Sequence, residues 1–256
     1  MSLDSDVSAA SLEAPPFPDL GDSALMLDID GTLIDIAARP DEVVVPASLR
    51  ETLQLLQSRL NGAVALVSGR QLADIDRLFS PLKFSAVGGH GAECRQLPLG
   101  PIDTTHATPL PKDLSQALFQ FADGRDGVIV EDKGYSLALH YRLAPQHEAA
   151  ILKGVSALCA GWPMIGILPG KAVVEIKQTG ANKGTGIRKL MQALPFSGRR
   201  PIFIGDDVTD EFAAAAVPEF GGFAMSVGRA MPGAVYRFES PTAVRNWLGK
   251  LSTGHG

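Results

Sequence analysis

The stretch Ala24-Leu-Met-Leu-Asp28-Ile-Asp30-Gly31-Thr-Leu-Ile34 decides how the rest of the chain is read. Four apolar residues run without a break into Asp28. Such a run reads as a strand covered on both faces, as in a parallel sheet. Its polar end is then the carboxyl end of the strand, where ligands of open α/β sheets bind. Two aspartates flanking one residue resist sharing a crevice, because like charges repel. A divalent cation relieves that cost. Gly31 lets the backbone turn sharply after Asp30. Taken alone, Asp-Ile-Asp-Gly is also an ordinary turn after a strand.

Outward from this stretch the same grammar repeats. Ser48 and Glu51 are spaced as a capping box, and Leu49, Leu53, Leu56 and Leu60 follow at helical spacing. Residues 62–67 form a second buried strand that ends in Ser68-Gly69-Arg70. A helix over 71–79 and a short strand over 84–87 lead into Gly88-Gly89-His90-Gly91-Ala92-Glu93. Strand alternating with helix builds a doubly wound parallel sheet.

Between about residues 104 and 178 the pattern changes. A helix over 112–122 precedes two alternating strands, 127–133 and 136–142. A helix over 146–160 precedes another strand pair, 164–168 and 172–177, around a Pro169-Gly170 turn signal. Leu137, Leu139 and Tyr141 face one way; Ser136, Ala138, His140 and Arg142 face the other. Val173, Glu175 and Lys177 share a face. Alternation means a sheet with one covered and one open face.

Parallel grammar resumes at Asn182. A helix over 183–194 is followed by a buried strand over 201–204 that ends in Gly205-Asp206-Asp207-Val-Thr-Asp210-Glu211. Then come a helix over 212–217, a strand over 222–227 and a last helix after Ser240-Pro241. The expected fold is α/β: a Rossmann-like doubly wound parallel sheet core with an inserted α+β cap domain, an antiparallel sheet backed by two helices. The core spans residues 23–104 and 179–256, and the cap 105–178. Residues 1–22 read as a flexible leader.

The formal net charge of −5 gives no reason to expect nucleic acid, and no apolar run reaches membrane-spanning length. Cys94 and Cys159 stand far apart, not in metal-ligand spacing, which fits a reducing compartment. The N-terminal residues lack a signal-peptide pattern. A cytoplasmic location, a small-molecule substrate and no membrane partner are expected; the sequence does not fix the oligomeric state, a monomer being favoured.

Asp28 and Asp30, Ser68, and Asp206 with Asp207 all sit at the ends of buried parallel strands, and Lys183 opens a helix beside them. That set suits phosphoryl transfer. Mg²⁺ takes oxygen ligands, which Asp28 and Asp206 supply as carboxylates. Ser68 donates to a phosphate oxygen. Lys183 offsets the phosphate and the acidic cluster, and its helix start adds free N–H donors. Asp210, one turn from Asp206, can hold Lys183 in place. Each part has a plain alternative: a turn at Ser68-Gly69, a surface lysine at 183, an acidic helix start at 206–211.

In this order the motifs resemble the haloacid dehalogenase-like phosphohydrolases. Within that superfamily the chain is similar to the trehalose-phosphatase family. The resemblance rests on Leu27-Asp-Ile-Asp-Gly-Thr-Leu33, Val67-Ser-Gly-Arg70, His90-Gly-Ala-Glu93, Leu139-His-Tyr-Arg142, Gly170-Lys-Ala-Val-Val-Glu-Ile-Lys177, Asn182-Lys-Gly184 and Gly205-Asp-Asp-Val-Thr-Asp-Glu211. It spans about residues 24–250. Gly89 and Gln178 depart from the family pattern and touch none of the core chemistry.

The resemblance implies a Mg²⁺-dependent phosphatase releasing trehalose and phosphate from trehalose 6-phosphate. It implies attack by Asp28, acid and base work by Asp30, and Ser68 and Lys183 as further catalytic residues. Asp28, Asp206 and the backbone carbonyl of Asp30 would hold the metal, with Asp207 and Asp210 in support. Gly69, Arg70, His90, Lys133, Arg142, Lys171 and Glu175 would bind substrate. His90 is equally readable as a structural histidine, and the mixed-charge sheet face as merely solvated. The nearest alternatives are a phosphatase for sucrose phosphate, mannosyl phosphoglycerate or a hexose phosphate, and a non-catalytic phosphosugar-binding module.

Overall fold

The computed structural model describes Pro15 and residues 17–36, 43–170 and 172–254. Contacts divide the chain into two units: Met1–Asp103 with Asn182–Gly256, and Thr104–Ala181.

The first unit opens with β1 (Ser23–Leu27), α1 (Ala47–Arg59), β2 (Val64–Val67), α2 (Leu72–Leu78), β3 (Ser85–Gly88), β4 (Glu93–Arg95) and β5 (Ile102–Asp103). The second unit contains α3 (Lys112–Ala122), β6 (Ile129–Asp132), β7 (Ser136–His140), α4 (Glu148–Cys159), β8 (Ile165–Gly170) and β9 (Val173–Gln178). The first unit resumes with α5 (Lys183–Leu190), β10 (Arg200–Gly205), α6 (Glu211–Ala216), β11 (Phe223–Val227), β12 (Ala234–Phe238) and α7 (Pro241–Thr253).

The first unit's sheet has the order β12-β11-β10-β1-β2-β3-β4-β5. Every pairing from β12 to β3 is parallel; β4 and β5 add on antiparallel. The chain winds from β1 towards β3, then from β10 towards β12. The direction therefore reverses between β1 and β10, and such a switch point is where these sheets bind ligands. Every residue of β1 is buried, and Leu25, Met26 and Leu27 are fully covered. Each such side chain contributes roughly 1.5–3 kcal/mol relative to exposure. The parallel register sets Leu27 beside Ile204 on one side and Leu66 on the other, so the three chains leave the sheet together.

The second unit holds an antiparallel sheet of order β6-β7-β9-β8. Leu137, Leu139, Tyr141, Val174 and Ile176 turn one face to a core shared with Leu114 and Leu118 of α3 and Ile151 and Val155 of α4. The opposite face carries Glu131, Lys133, Ser136, His140, Glu175 and Lys177.

Several local expectations are corrected. Ser48 and Glu51 form no capping box: α1 begins at Ala47, with Pro46 at the N-cap and no side-chain cap. Ser48 is thus already inside the first turn. A capping box does open α5, where Asn182 accepts from Thr185 N–H (2.9 Å) and Thr185 Oγ1 accepts from Asn182 N–H (3.0 Å). That helix ends at Leu190, short of 194, and Pro195 disfavours helical backbone at Leu194. Pro169 and Gly170 are strand residues paired with Val174 and Val173 rather than the turn. An edge strand tolerates proline. Strands β4, β5 and β12 were not expected; they are short or half-exposed and carry little apolar pattern.

Residues 1–14 and 16 of the expected leader lie outside the described residues. Pro15 and Phe17 pack on α7: Trp247 Nε1 donates to the Pro15 carbonyl at 3.1 Å, and Phe17 stacks on the indole. Among the described residues, no helix is long and apolar enough to cross a membrane.

Candidate active site

At the switch point, Asp28 follows β1 with its N–H on the Ile204 carbonyl at 2.9 Å. The capping box starts α5 at Lys183 and buries its side chain. The ammonium donates to Asp28 Oδ1 at 2.7 Å and to Asp210 Oδ1 at 2.5 Å. Beyond β10 the chain coils through a single 3₁₀ turn, Val208–Asp210. That turn brings Asp210 back, so its Oδ2 accepts from the N–H groups of Asp206 (3.0 Å) and Asp207 (2.9 Å). Asp210 is fully buried with both oxygens engaged. Asp207 itself is exposed.

Gly31, at φ 86°, lets Asp206 lie against the turn after β1. A Cβ at position 31 would stand 2.2 Å from Asp206 Oδ2. Thr32, fully buried, donates to Asp206 Oδ1 at 3.4 Å. Thr32 is a site residue that only its place directly after Asp30-Gly31 signals in the sequence.

Burial raises the Asp28 pKa well above the usual carboxylate range, and Asp210 and Asp206 push the same way against Lys183. Burial alone would lower Lys183, but Asp210 and Asp28 outweigh it and hold the ammonium above its ordinary value. Three carboxylates therefore face one ammonium. Oxygens of Asp28, Asp206 and Asp210 lie within 4.8 Å of one another, a group that could hold a metal ion. The unbalanced negative charge and the all-oxygen donor set fit a hard divalent cation. With Asp210 committed to Lys183 and two N–H groups, Asp28 and Asp206 are the side-chain donors left for it.

Ser68 follows β2 and is buried; its Oγ accepts from Arg70 N–H at 3.1 Å. Arg70 reaches Asp30 with two bonds of 2.6 Å. The Asp30 carboxylate is thus turned to Arg70, outside the three-carboxylate group. Burial lowers the Arg70 pKa, and the bond and charge of Asp30 more than reverse it. His90 holds φ 52°, and its ring packs on Gly69. Glu93 accepts from Leu72 N–H at 2.6 Å, which seats the start of α2.

In the second unit, Glu175 is buried and accepts from Ser136 Oγ at 2.7 Å and Lys133 Nζ at 3.2 Å. Alternation puts Ser136 on this face, but nothing else in the sequence marks it as the partner of Glu175. Arg142 lies beyond the end of β7 and is exposed. Lys171 lies outside the described residues.

Fold and site together define a class. The chain shares its fold with solved phosphatases of the haloacid dehalogenase-like superfamily, and its second unit interrupts the first in sequence. It aligns with the C-terminal domain of the Candida albicans trehalose-6-phosphate phosphatase at a TM-score of 0.81 and 20% identity, covering 96% of this chain and 99% of that one. At that identity the likeness speaks for the fold. The sequence narrows the class: the trehalose-phosphatase family model matches residues 26–230, and the chain belongs to that family. It is 40% identical over 234 residues to the trehalose-6-phosphate phosphatase of Escherichia coli, covering 90% of this chain and 86% of the relative. It is 42% identical over 237 residues to a probable trehalose-phosphate phosphatase of Sinorhizobium fredii, covering 91% and 89%.

Proposed function

We propose that the chain is a phosphoric monoester hydrolase that converts trehalose 6-phosphate to trehalose and phosphate, with Mg²⁺ as its cation. The carrying observation is Lys183 clasped between Asp28 and Asp210, with Asp206 on the neighbouring strand end. Family membership supplies the sugar.

In the first half-reaction a carboxylate oxygen of Asp28 attacks phosphorus in line. The bond from phosphorus to the sugar oxygen breaks, and Asp30 passes its proton to that oxygen. In the second half-reaction water attacks the aspartyl-phosphate, Asp30 takes its proton, and the Asp28 carboxylate leaves. Splitting one hard displacement into two is the benefit of the covalent route. Lys183 stabilises charge spread over the equatorial oxygens, and Ser68 offers its O–H to one of them. A cation held by Asp28 and Asp206 supplies charge neutralisation for the phosphoryl group. The backbone carbonyl of Asp30 is its further ligand in this reading. Lys133, Glu175, Arg142 and Lys171 are the candidates for reading the sugar hydroxyls; Gly69 and His90 are candidates for binding beside Ser68.

The test is phosphate release from trehalose 6-phosphate, sucrose 6-phosphate, mannosyl phosphoglycerate and glucose 6-phosphate, with EDTA or Mg²⁺. Turnover of trehalose 6-phosphate above the other esters, abolished by EDTA and restored by Mg²⁺, is the expected result. A preference for another ester would move the substrate assignment. Full activity without metal would remove the cation.

A further inference from the structure

Arg70 engages Asp30 as a two-pronged fork: Nε donates to Oδ2 and Nη2 to Oδ1, both at 2.6 Å. The Arg70 side chain is 15% exposed and that of Asp30 34%. Bidentate pairing of this kind fixes orientation as well as supplying attraction. The backbone beneath Arg70 is pinned. Its N–H donates to Ser68 Oγ at 3.1 Å, and its carbonyl accepts from Gly89 N–H at 2.8 Å. The carbonyl of Ser68 accepts from His90 N–H at 3.1 Å. His90 holds a left-handed backbone that a non-glycine residue keeps only where its surroundings enforce it. Its ring lies so close to Gly69 that a Cβ there would stand 2.3 Å from Nε2. Rigidity in the two loops is thus delivered to the Asp30 carboxylate.

The two half-reactions ask different things of Asp30. Protonating the sugar oxygen needs an O–H on one of its oxygens. Accepting a proton from water needs only a free lone pair, and each carboxylate oxygen keeps one while Arg70 occupies the other. The observed pairing therefore suits the second half-reaction. We propose that Arg70 is a positioning residue that holds Asp30 as the base for hydrolysis of the aspartyl-phosphate, a role separate from any contact with the sugar. This rests on the phosphatase reading above. In that step the bond from water oxygen to phosphorus forms, the bond from Asp28 oxygen to phosphorus breaks, and the water proton goes to Asp30.

The experiment uses p-nitrophenyl phosphate, which has no sugar and whose leaving group needs no proton. In Arg70→Ala, p-nitrophenolate should appear as a burst of about one equivalent per enzyme. Steady-state turnover should then be about a hundredfold slower, the scale of a misplaced catalytic group. KM should fall in step with kcat, leaving kcat/KM for this ester little changed, because only the second step is slowed. Arg70→Lys, which keeps the charge without the fork, should show the same burst with a smaller loss. The double variant Arg70→Ala with Asp30→Asn should be no slower than Asp30→Asn alone, because groups acting as one unit are not additive. Unchanged turnover of this ester, with a loss confined to trehalose 6-phosphate, would overturn the proposal in favour of a sugar contact. So would independent, multiplying losses in the double variant. A wild type that releases phosphate from neither ester overturns the phosphatase reading, and this proposal with it.

Discussion

Lys183 and Asp28 stand 155 residues apart in the chain and 2.7 Å apart in the fold. Asp210 takes the same ammonium from its other side, and all three side chains are nearly or wholly withdrawn from water. An ion triad at this depth is held by geometry, since desolvation cancels much of the attraction between its members. Removing the ammonium, its single cation, is therefore more damaging than the net worth of the set.

That asymmetry predicts the behaviour of Lys183→Met. Asp28 and Asp210 are left facing each other with no cation, at a cost of about 3–5 kcal/mol. Thermal unfolding should show a clear fall in Tm together with loss of turnover. Mg²⁺ should recover part of the Tm, because a ligand that binds only the native state stabilises it. An unshifted Tm in metal-free buffer would mean that the triad contributes nothing to the fold.

Asp28→Asn should behave in the opposite way. It removes a charge that burial and two neighbouring carboxylates already oppose. Lys183 retains Asp210 as its partner. Tm should hold or rise slightly while phosphate release falls by several orders of magnitude, as expected when a covalent nucleophile is lost. Residual turnover within tenfold of the parent, on either ester, would show that Asp28 is not the attacking group.

These elements differ in how legible they were. The β1 strand announced itself because parallel strands buried on both faces read as unbroken apolar runs, and the aspartates after it could only lie at a strand end. Asp28, Asp206, Asp210 and Lys183 could be gathered because register and capping follow local rules. The Arg70–Asp30 pair could not be gathered in this way. Nothing in Ser68-Gly69-Arg70 says that the guanidinium turns to Asp30, since that depends on how loop 88–91 pins loop 68–70. Strand β12 was also hidden: Ala-Val-Tyr-Arg-Phe is a half-exposed edge with neither an apolar run nor clean alternation.

Gly31→Ala probes the approach of Asp206 without touching a charge. The new Cβ would collide with Asp206 Oδ2, and φ 86° is strained for any side chain. Either the carboxylate or the turn that carries residue 31 must shift. We expect the Mg²⁺ concentration for half-maximal activity to rise at least tenfold. A modest loss of stability, about 1 kcal/mol or more, should accompany it. Unaltered Mg²⁺ dependence would mean that Asp206 does not need this approach to serve the cation.

Glu175 and its two donors test sugar recognition. Glu175→Ala should cut kcat/KM for trehalose 6-phosphate by about ten- to a hundredfold, the scale of one or two charge-assisted hydrogen bonds. It should change turnover of p-nitrophenyl phosphate much less. Ser136→Ala should produce a smaller loss of the same kind, because it frees a carboxylate that Lys133 still holds. Equal losses on both esters would assign these residues to folding of the inserted unit instead.

The last prediction concerns Lys177, which shares its face with Glu175 yet is buried. Burial lowers its pKa from 10.5 to about 8; Glu175 opposes the shift and Lys133 adds to it. The sign follows from proton counting. Below pH 8 the lysine is charged in both states, and the native state bears the cost of a buried ammonium. Between pH 8 and 10.5 the native state has released the proton that the unfolded chain still binds, so stability rises with pH through this group. Above 10.5 the penalty is gone. Lys177→Met should therefore be more stable than the parent at pH 7, by up to about 3 kcal/mol. The advantage should shrink steadily as the pH is raised from 8 towards 10.5. Urea unfolding of both proteins at pH 7, 8.5 and 10 measures the difference directly and cancels groups that titrate alike in the two. A gap that stays constant with pH would show that Lys177 keeps an ordinary pKa. A variant less stable at pH 7 would show that the polar contacts of this lysine outweigh the cost of burying it.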